Sequence, residues 1–179
     1  VGMGGIGKTR LVEEFLREYS SKANQPIYFR ELNKNPLESE AVVGPALLVL
    51  DGFDSSVHAV EWLDQYLEKD SRLKFLLTAR QRIGSISETV YRLQGLSCPN
   101  IDAGGGAEDY PAVQLFVEIV KQANTHFPIT GDVYQSIGNI CSYLGGVPLA
   151  IEMVAPLTRL LDYATIYDEL IDHTDTLYH

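Results

Sequence analysis

Residues 2–9 read GMGGIGKT, a run that satisfies G-x-x-x-x-G-K-[ST] and carries two further glycines. No other stretch restricts the fold as much, because this spacing suits a loop that closes its own backbone around an anion. Gly2, Gly4, Gly5 and Gly7 allow positive φ and close approach without a Cβ clash. Their main-chain N–H groups, with the N-terminus of a following helix, form a nest of positive partial charge. Lys8 is expected to reach β- and γ-phosphates, and the Thr9 hydroxyl to bind Mg²⁺. The whole stretch from Gly2 through Gly4, Gly5, Ile6, Gly7, Lys8 and Thr9 to Arg10 is the expected cofactor-binding segment.

Beyond the loop the apolar residues alternate between helical and strand periods, as in an α/β sheet protein. Leu11, Phe15 and Tyr19 recur at helical spacing with Val12 and Leu16 beside them, predicting a helix over residues 8–21. Residues 27–32 read as a strand, and the polar stretch 33–45, with two prolines, as a loop. Residues 46–50 are continuously apolar, the pattern of a strand buried on both faces. Val60, Leu63 and Leu67 predict a helix over 57–69, with strands following at 73–78 and 89–93.

From residue 97 to 109 the chain changes character, since Pro99, Asn100, Gly104, Gly105 and Gly106 break any regular element. Past it only helical periods occur. Val113, Phe116, Val120 and Ala123 line one helix; Val133, Ile137, Ile140, Cys141 and Leu144 line the next, with Thr130 or Asp132 as its N-cap. Gly145 and Gly146 end that helix and Pro148 opens another. The expected fold class is therefore α/β, a P-loop NTPase with a parallel sheet core of the ASCE/AAA+-like kind. Its core takes residues 1–96, a linker 97–109, and a small all-helical lid subdomain 110–179.

Two strand ends carry charge. LLVLD puts Asp51 at the carboxyl end of a buried strand, where open α/β sheets bind ligands. Asp51 is expected to hold Mg²⁺ through water, and Asp54 to orient or deprotonate an attacking water. FLLTAR ends in Arg80, which from there would reach the γ-phosphate; its plainer reading is a solvated surface arginine. The Gly146-Val147-Pro148-Leu149 segment reads on its own as a helix C-cap followed by a proline start.

Charge and composition narrow the function. With 14 Lys and Arg against 24 Asp and Glu, the net charge is −10, so the surface repels phosphate backbones in general. An anion site must be local, and no direct nucleic-acid partner is expected. The longest apolar run, residues 41–50, is interrupted by Gly44 and Pro45 and is too short to span a bilayer. The expected location is cytoplasmic, without a membrane partner. Cys98 and Cys141 have no paired spacing and read as reduced and buried, and His58, His126, His173 and His179 match no metal motif. Because Val1 directly precedes the glycine motif, the sequence reads as a fragment of a longer protein, keeping at most one residue of the strand that leads into such a loop.

GMGGIGKTRL, LLVLDGFD, FLLTAR, SETVYRLQGLSCP, AVQLFVEIV and ICSYLGGVPLAIEMVA occur in that order and together resemble the NB-ARC-type ATPase domain of STAND signalling proteins. The version in large bacterial transcriptional regulators is the most similar, and the likeness covers nearly the whole chain. The resemblance implies a switch in which ADP clamps the sheet core against the lid and exchange for ATP opens the molecule. It implies phosphate and Mg²⁺ binding by Gly7, Lys8 and Thr9, a Walker B role for Asp51, a γ-phosphate sensor in Arg80, and packing of Pro148 on adenine. It further implies other domains of the same polypeptide as partners, a winged helix and a repeat sensor, and a nucleotide-dependent homo-oligomer.

The chain also departs from that pattern. Gly52 stands where relatives often carry Asn or a second acid, the DGFD wording is similar to the NACHT branch, and only residues 33–45 lie where relatives carry several tens. The expected function is an ATP/ADP-binding signalling switch with slow ATP hydrolysis. Two alternatives stand beside it: a non-hydrolysing ADP-binding interaction module, motivated by Gly52 and the short 33–45 stretch, and a DNA-remodelling ATPase of the AAA+ class, against which the acidic charge and the GVPLA segment speak.

Overall fold

The computed structural model describes residues 1–32, 42, 44–53, 57–85, 88–99, 106–123 and 131–175. The chain divides into two compact units, Val1–Leu93 and Gln94–His179. The first is a parallel sheet with helices on both faces; the second is helical.

In the first unit the glycine loop runs straight into helix α1 (Lys8–Tyr19), whose N-cap is Gly7. Strands β1 (Ile27–Glu31), β2 (Ala46–Phe53) and β3 (Leu73–Ala79) form a parallel sheet in the order β1-β2-β3, with helix α2 (Val57–Lys69) joining the last two. Parallel strands need such crossovers, and helices covering both faces explain why β2 is apolar at successive positions. Leu47 and Val49 pack with Val12, Leu16 and Tyr19 of α1, while Ala46, Leu48, Leu50 and Phe53 pack with Trp62, Leu63 and Tyr66 of α2. Each such fully buried side chain contributes about 1.5–3 kcal/mol.

Of the apolar residues on α1, Val12, Leu16 and Tyr19 pack toward the sheet. Val12 is the buried residue, and Leu11 and Phe15 are exposed. The expected strand at 89–93 is absent: residues 88–99 are irregular. Two bonds still tie this stretch to Val1, whose nitrogen donates to the Tyr91 carbonyl at 2.6 Å and whose carbonyl accepts from the Leu93 N–H at 2.8 Å. On its other side the Gly2 N–H donates to the Ala79 carbonyl at 3.2 Å, which fixes the start of the glycine loop against the end of β3.

The second unit holds α3 (Pro111–Ala123), α4 (Gly131–Tyr143), α5 (Pro148–Val154) and α6 (Tyr163–Asp175) around a core of Val113, Phe116, Val120, Ile137, Ile140, Cys141, Ile151 and Ile166. Asp132 is not the N-cap of α4, because the helix already includes Gly131; it sits in the first turn, where its charge suits the helix dipole. Thr130 lies outside the described residues. Ala107–Asp109, before α3, form a 3₁₀ turn with Ala107 buried.

The Gly-Gly-Val-Pro segment behaves as its sequence suggests. Gly145 and Gly146 have φ of 62° and 64°, the Gly146 N–H donates to the Cys141 carbonyl at 3.0 Å, and Pro148 opens α5. A Cβ on Gly146 would lie 2.0 Å from the Leu96 carbonyl oxygen.

Burial pushes the Cys141 thiol up to about 12 and raises that of Cys98. Cys141 should therefore stay unlabelled by iodoacetamide at neutral pH in the folded chain and react only after denaturation, which peptide mass mapping would check.

Candidate functional site

The glycines of the loop serve different ends. Gly5 and Gly7 have φ of 74° and 96°, a region that side chains resist, and Gly7 in this conformation turns the loop into α1. Gly2 and Gly4 do not have positive φ, contrary to expectation. At Gly2 the constraint is space, since a Cβ would meet the Leu93 carbonyl oxygen and the Ile6 side chain at 3.0 Å each. A Cβ on Gly4 would meet nothing within 4 Å. Ile6, 6% exposed, anchors the loop in the protein body.

Lys8 and Thr9 begin α1, and the sheet brings the end of β2 and the end of β3 beside them. A cavity of about 420 Å³ is lined by Gly4, Lys8, Thr9, Asp51, Gly52, Phe53, Thr78, Ala79, Arg80 and Gln81. That volume lies within the usual range of small-ligand sites. Cavities at least as large occur elsewhere among the described residues, about 550 Å³ in the helical unit and about 440 Å³ beside β3. What sets the smaller one apart is its chemistry: an ammonium, a guanidinium, a carboxylate and two hydroxyls converge in a chain of net charge −10.

Polar contacts order these groups. The Lys8 ammonium donates to the carbonyls of Gly2 and Met3, each at 2.8 Å, so it folds back across the loop. Burial, and then the charge of Arg80, lower its pKa from the usual lysine range, while Asp51 acts in the other direction. The Thr9 hydroxyl donates to Asp51 Oδ2 at 2.8 Å, and the Thr78 hydroxyl donates to Asp51 Oδ1 at 2.6 Å. Asp51 is 7% exposed with both carboxylate oxygens engaged. Gly52 completes the arrangement: its N–H donates to Thr78 Oγ1 at 2.8 Å.

Of the expected site residues, Gly4, Lys8, Thr9, Asp51 and Arg80 come together around this cavity. Gly2, Gly5, Ile6 and Gly7 shape the loop without lining it. Arg10 stands on the exposed side of α1, paired with Glu13 at 3.7 Å. Pro148 belongs to the second unit, at the first position of α5. Asp54 lies outside the described residues. Reading the sequence alone missed Thr78 and the role of Gly52; the signal was a lone hydroxyl within the apolar run FLLTAR.

The donor set also fits a hard divalent cation. Thr9 and Asp51 offer only oxygen, which suits Mg²⁺. Among the described residues no three His, Cys, Asp or Glu side chains gather as a metal cage. A Mg²⁺ ion held by these two residues would need further oxygen ligands from outside the protein, as is usual for that ion. Among the described residues no helix is long and apolar enough to cross a membrane.

No protein-family model matches the chain. It is 34% identical over 127 residues to uncharacterized proteins Rv0894 of Mycobacterium tuberculosis (strain H37Rv) and Mb0918 of Mycobacterium bovis, a match covering 70% of this chain and 30% of theirs. It is 26% identical over 200 residues to a protein provisionally named HTH-type transcriptional regulator Rv0890c, of Mycobacterium tuberculosis, a match covering 96% of this chain and 21% of that protein. The chain thus spans less than a third of the length of the curated relatives it matches. Its distant similarity to proteins named as transcriptional regulators gives it a regulatory-protein context.

Proposed function

We propose that this chain is the nucleotide-binding module of a larger regulatory protein, a P-loop domain of the STAND class and NB-ARC type that switches between ADP and ATP. The observation carrying this reading is the convergence of Lys8, Thr9, Asp51 and Arg80 around one cavity at the mouth of a glycine loop with positive φ at Gly5 and Gly7. Backbone N–H groups of the loop and the start of α1 would receive the phosphates. The Lys8 ammonium would exchange its two carbonyl partners for phosphate oxygens, and charge-assisted bonds of that kind are the stronger ones.

Thr9 and Asp51 would hold Mg²⁺, which when bound neutralises charge between the phosphates. Arg80, exposed at the end of β3, would meet the terminal phosphate and so distinguish ATP from ADP. Asp54 is the proposed base for slow hydrolysis, and Pro148 the proposed contact for adenine. The 26% identity to a provisionally named transcriptional regulator supports placing the module in a regulatory polypeptide whose other domains are its first partners. A cytoplasmic location and a nucleotide-dependent homo-oligomer belong to the same proposal.

A second reading, permanent ADP binding without hydrolysis, is favoured by Gly52. The position after Asp51 carries no side chain and has φ of 77°, so it offers no base. Two measurements test the pair. Denaturing the purified protein and chromatographing the supernatant should release an adenine nucleotide; a protein with none, and no affinity for added ATP or ADP, contradicts both. Single-turnover assays then divide them: slow phosphate release supports the switch, and retained ATP without release supports the second reading.

A further inference from the structure

Leu50 pairs with Leu77 and Phe53 with Ala79, so Asp51 and Gly52 of β2 together oppose the single residue Thr78 of β3. Two residues against one is a β-bulge, uncommon between parallel strands, and glycine at positive φ is one of the devices that allow it. This bulge turns the Gly52 N–H onto Thr78 Oγ1, and the same hydroxyl donates its proton to Asp51 Oδ1. Thr78 is 5% exposed and Asp51 7%, so water competes little with these bonds.

We propose that Thr78 is a positioning residue for Asp51: it pins one carboxylate oxygen so that the other, now bonded to Thr9, is presented to Mg²⁺. The inference rests on the nucleotide reading above and adds a residue to it. It also gives Gly52 a purpose. A side chain there would be strained at φ of 77°, and loss of the bulge would remove the N–H that fixes the Thr78 hydroxyl. Asp51 has two oxygens and two hydroxyl donors, Thr9 from α1 and Thr78 from β3. Mg²⁺ would displace only the first. The second would persist and hold the carboxylate plane fixed, as hydrogen-bond partners behind metal ligands do.

The test uses the full chain with Thr78→Val, Thr78→Ala and Thr78→Ser. ATP affinity is measured by calorimetry in EDTA and in excess Mg²⁺. Loss of the hydroxyl should weaken the affinity measured in Mg²⁺ about tenfold more than the affinity measured in EDTA. Thr78→Ser should keep the wild-type pattern. Serine and alanine variants differ by one oxygen, so their comparison stands even if valine disturbs packing. Equal Mg²⁺ dependence in the wild-type, Ser and Ala proteins would overturn the proposal.

Amide hydrogen exchange at Gly52 separates this outcome from failure of the nucleotide reading. A wild-type chain that binds no ATP with or without Mg²⁺ sinks that reading, and the positioning role with it. Faster Gly52 exchange in Thr78→Ala but not Thr78→Ser supports the bulge contact whatever binds. Unchanged exchange in the alanine variant contradicts it.

Discussion

Lys8→Ala should abolish most of the thermal stabilisation that ADP confers. At a free ADP concentration about a hundred times Kd, binding stabilises the folded state by ~2.7 kcal/mol. For a chain of this size that is roughly 5 to 10 °C in melting temperature. Removing the ammonium deletes charge-assisted bonds worth about 1.5–3 kcal/mol each, enough to lower affinity on the order of a hundredfold. The same ADP concentration then only matches Kd, and the stabilisation falls to about 0.4 kcal/mol, roughly 1 °C. The difference between liganded and unliganded protein is the proper readout, because Lys8 also bonds the Gly2 and Met3 carbonyls and its loss changes the unliganded melting point too. Scanning fluorimetry of both proteins decides the matter, and an undiminished shift in the variant would remove Lys8 from the phosphate site.

The second large effect belongs to the helical unit. Gly146→Ala should destabilise it by on the order of 3 kcal/mol or more, since two independent penalties coincide. Its φ of 64° is a conformation that alanine resists, and the new Cβ would lie 2.0 Å from the Leu96 carbonyl oxygen. Relief would require moving backbone, not the end of a flexible side chain. That movement breaks the bond from the Leu96 N–H to the Gly146 carbonyl at 2.8 Å and loosens the joint between α4 and α5. Hydrogen exchange resolved by segment should show faster opening across residues 131–154, with the sheet unit serving as internal reference. Wild-type protection in that segment would show that the close approach is not needed.

The Gly145–Gly146 turn was among the most legible parts of the fold. GVPLA with a preceding glycine announces a C-cap and a proline start through local chemistry alone, and the structure has both. Strand β2 was equally plain, because a run buried on both faces leaves no ambiguity of side. Helix α1 was harder. Leu11, Phe15 and Val12, Leu16 are two apolar rows a residue apart, and only the packing of β2 chooses Val12. The stretch at 89–93 has strand composition and bonds to Val1 at Tyr91 and Leu93, yet its backbone is irregular, and composition does not record hydrogen-bond pairing.

The site divides along the same line. Lys8, Thr9 and Asp51 follow from motifs in which residue type and chemistry are tied together, and the structure brings them to one cavity. Thr78 was not legible, since its bond to Asp51 crosses 27 residues of sequence and depends on a bulge that register alone reveals. Gly52 looked like a missing side chain; geometrically it is the residue that permits the bulge.

The proposed switch requires that the glycine loop hold a polyphosphate. Titrating Mg²⁺ and ADP into ¹⁵N-labelled protein, while following backbone amides, tests this most directly. Saturable shifts should concentrate at Gly4, Gly5, Gly7, Lys8 and Thr9, with smaller ones at Gly52. Amides of the loop left unmoved at millimolar ADP, or shifts confined to residues elsewhere, would contradict it.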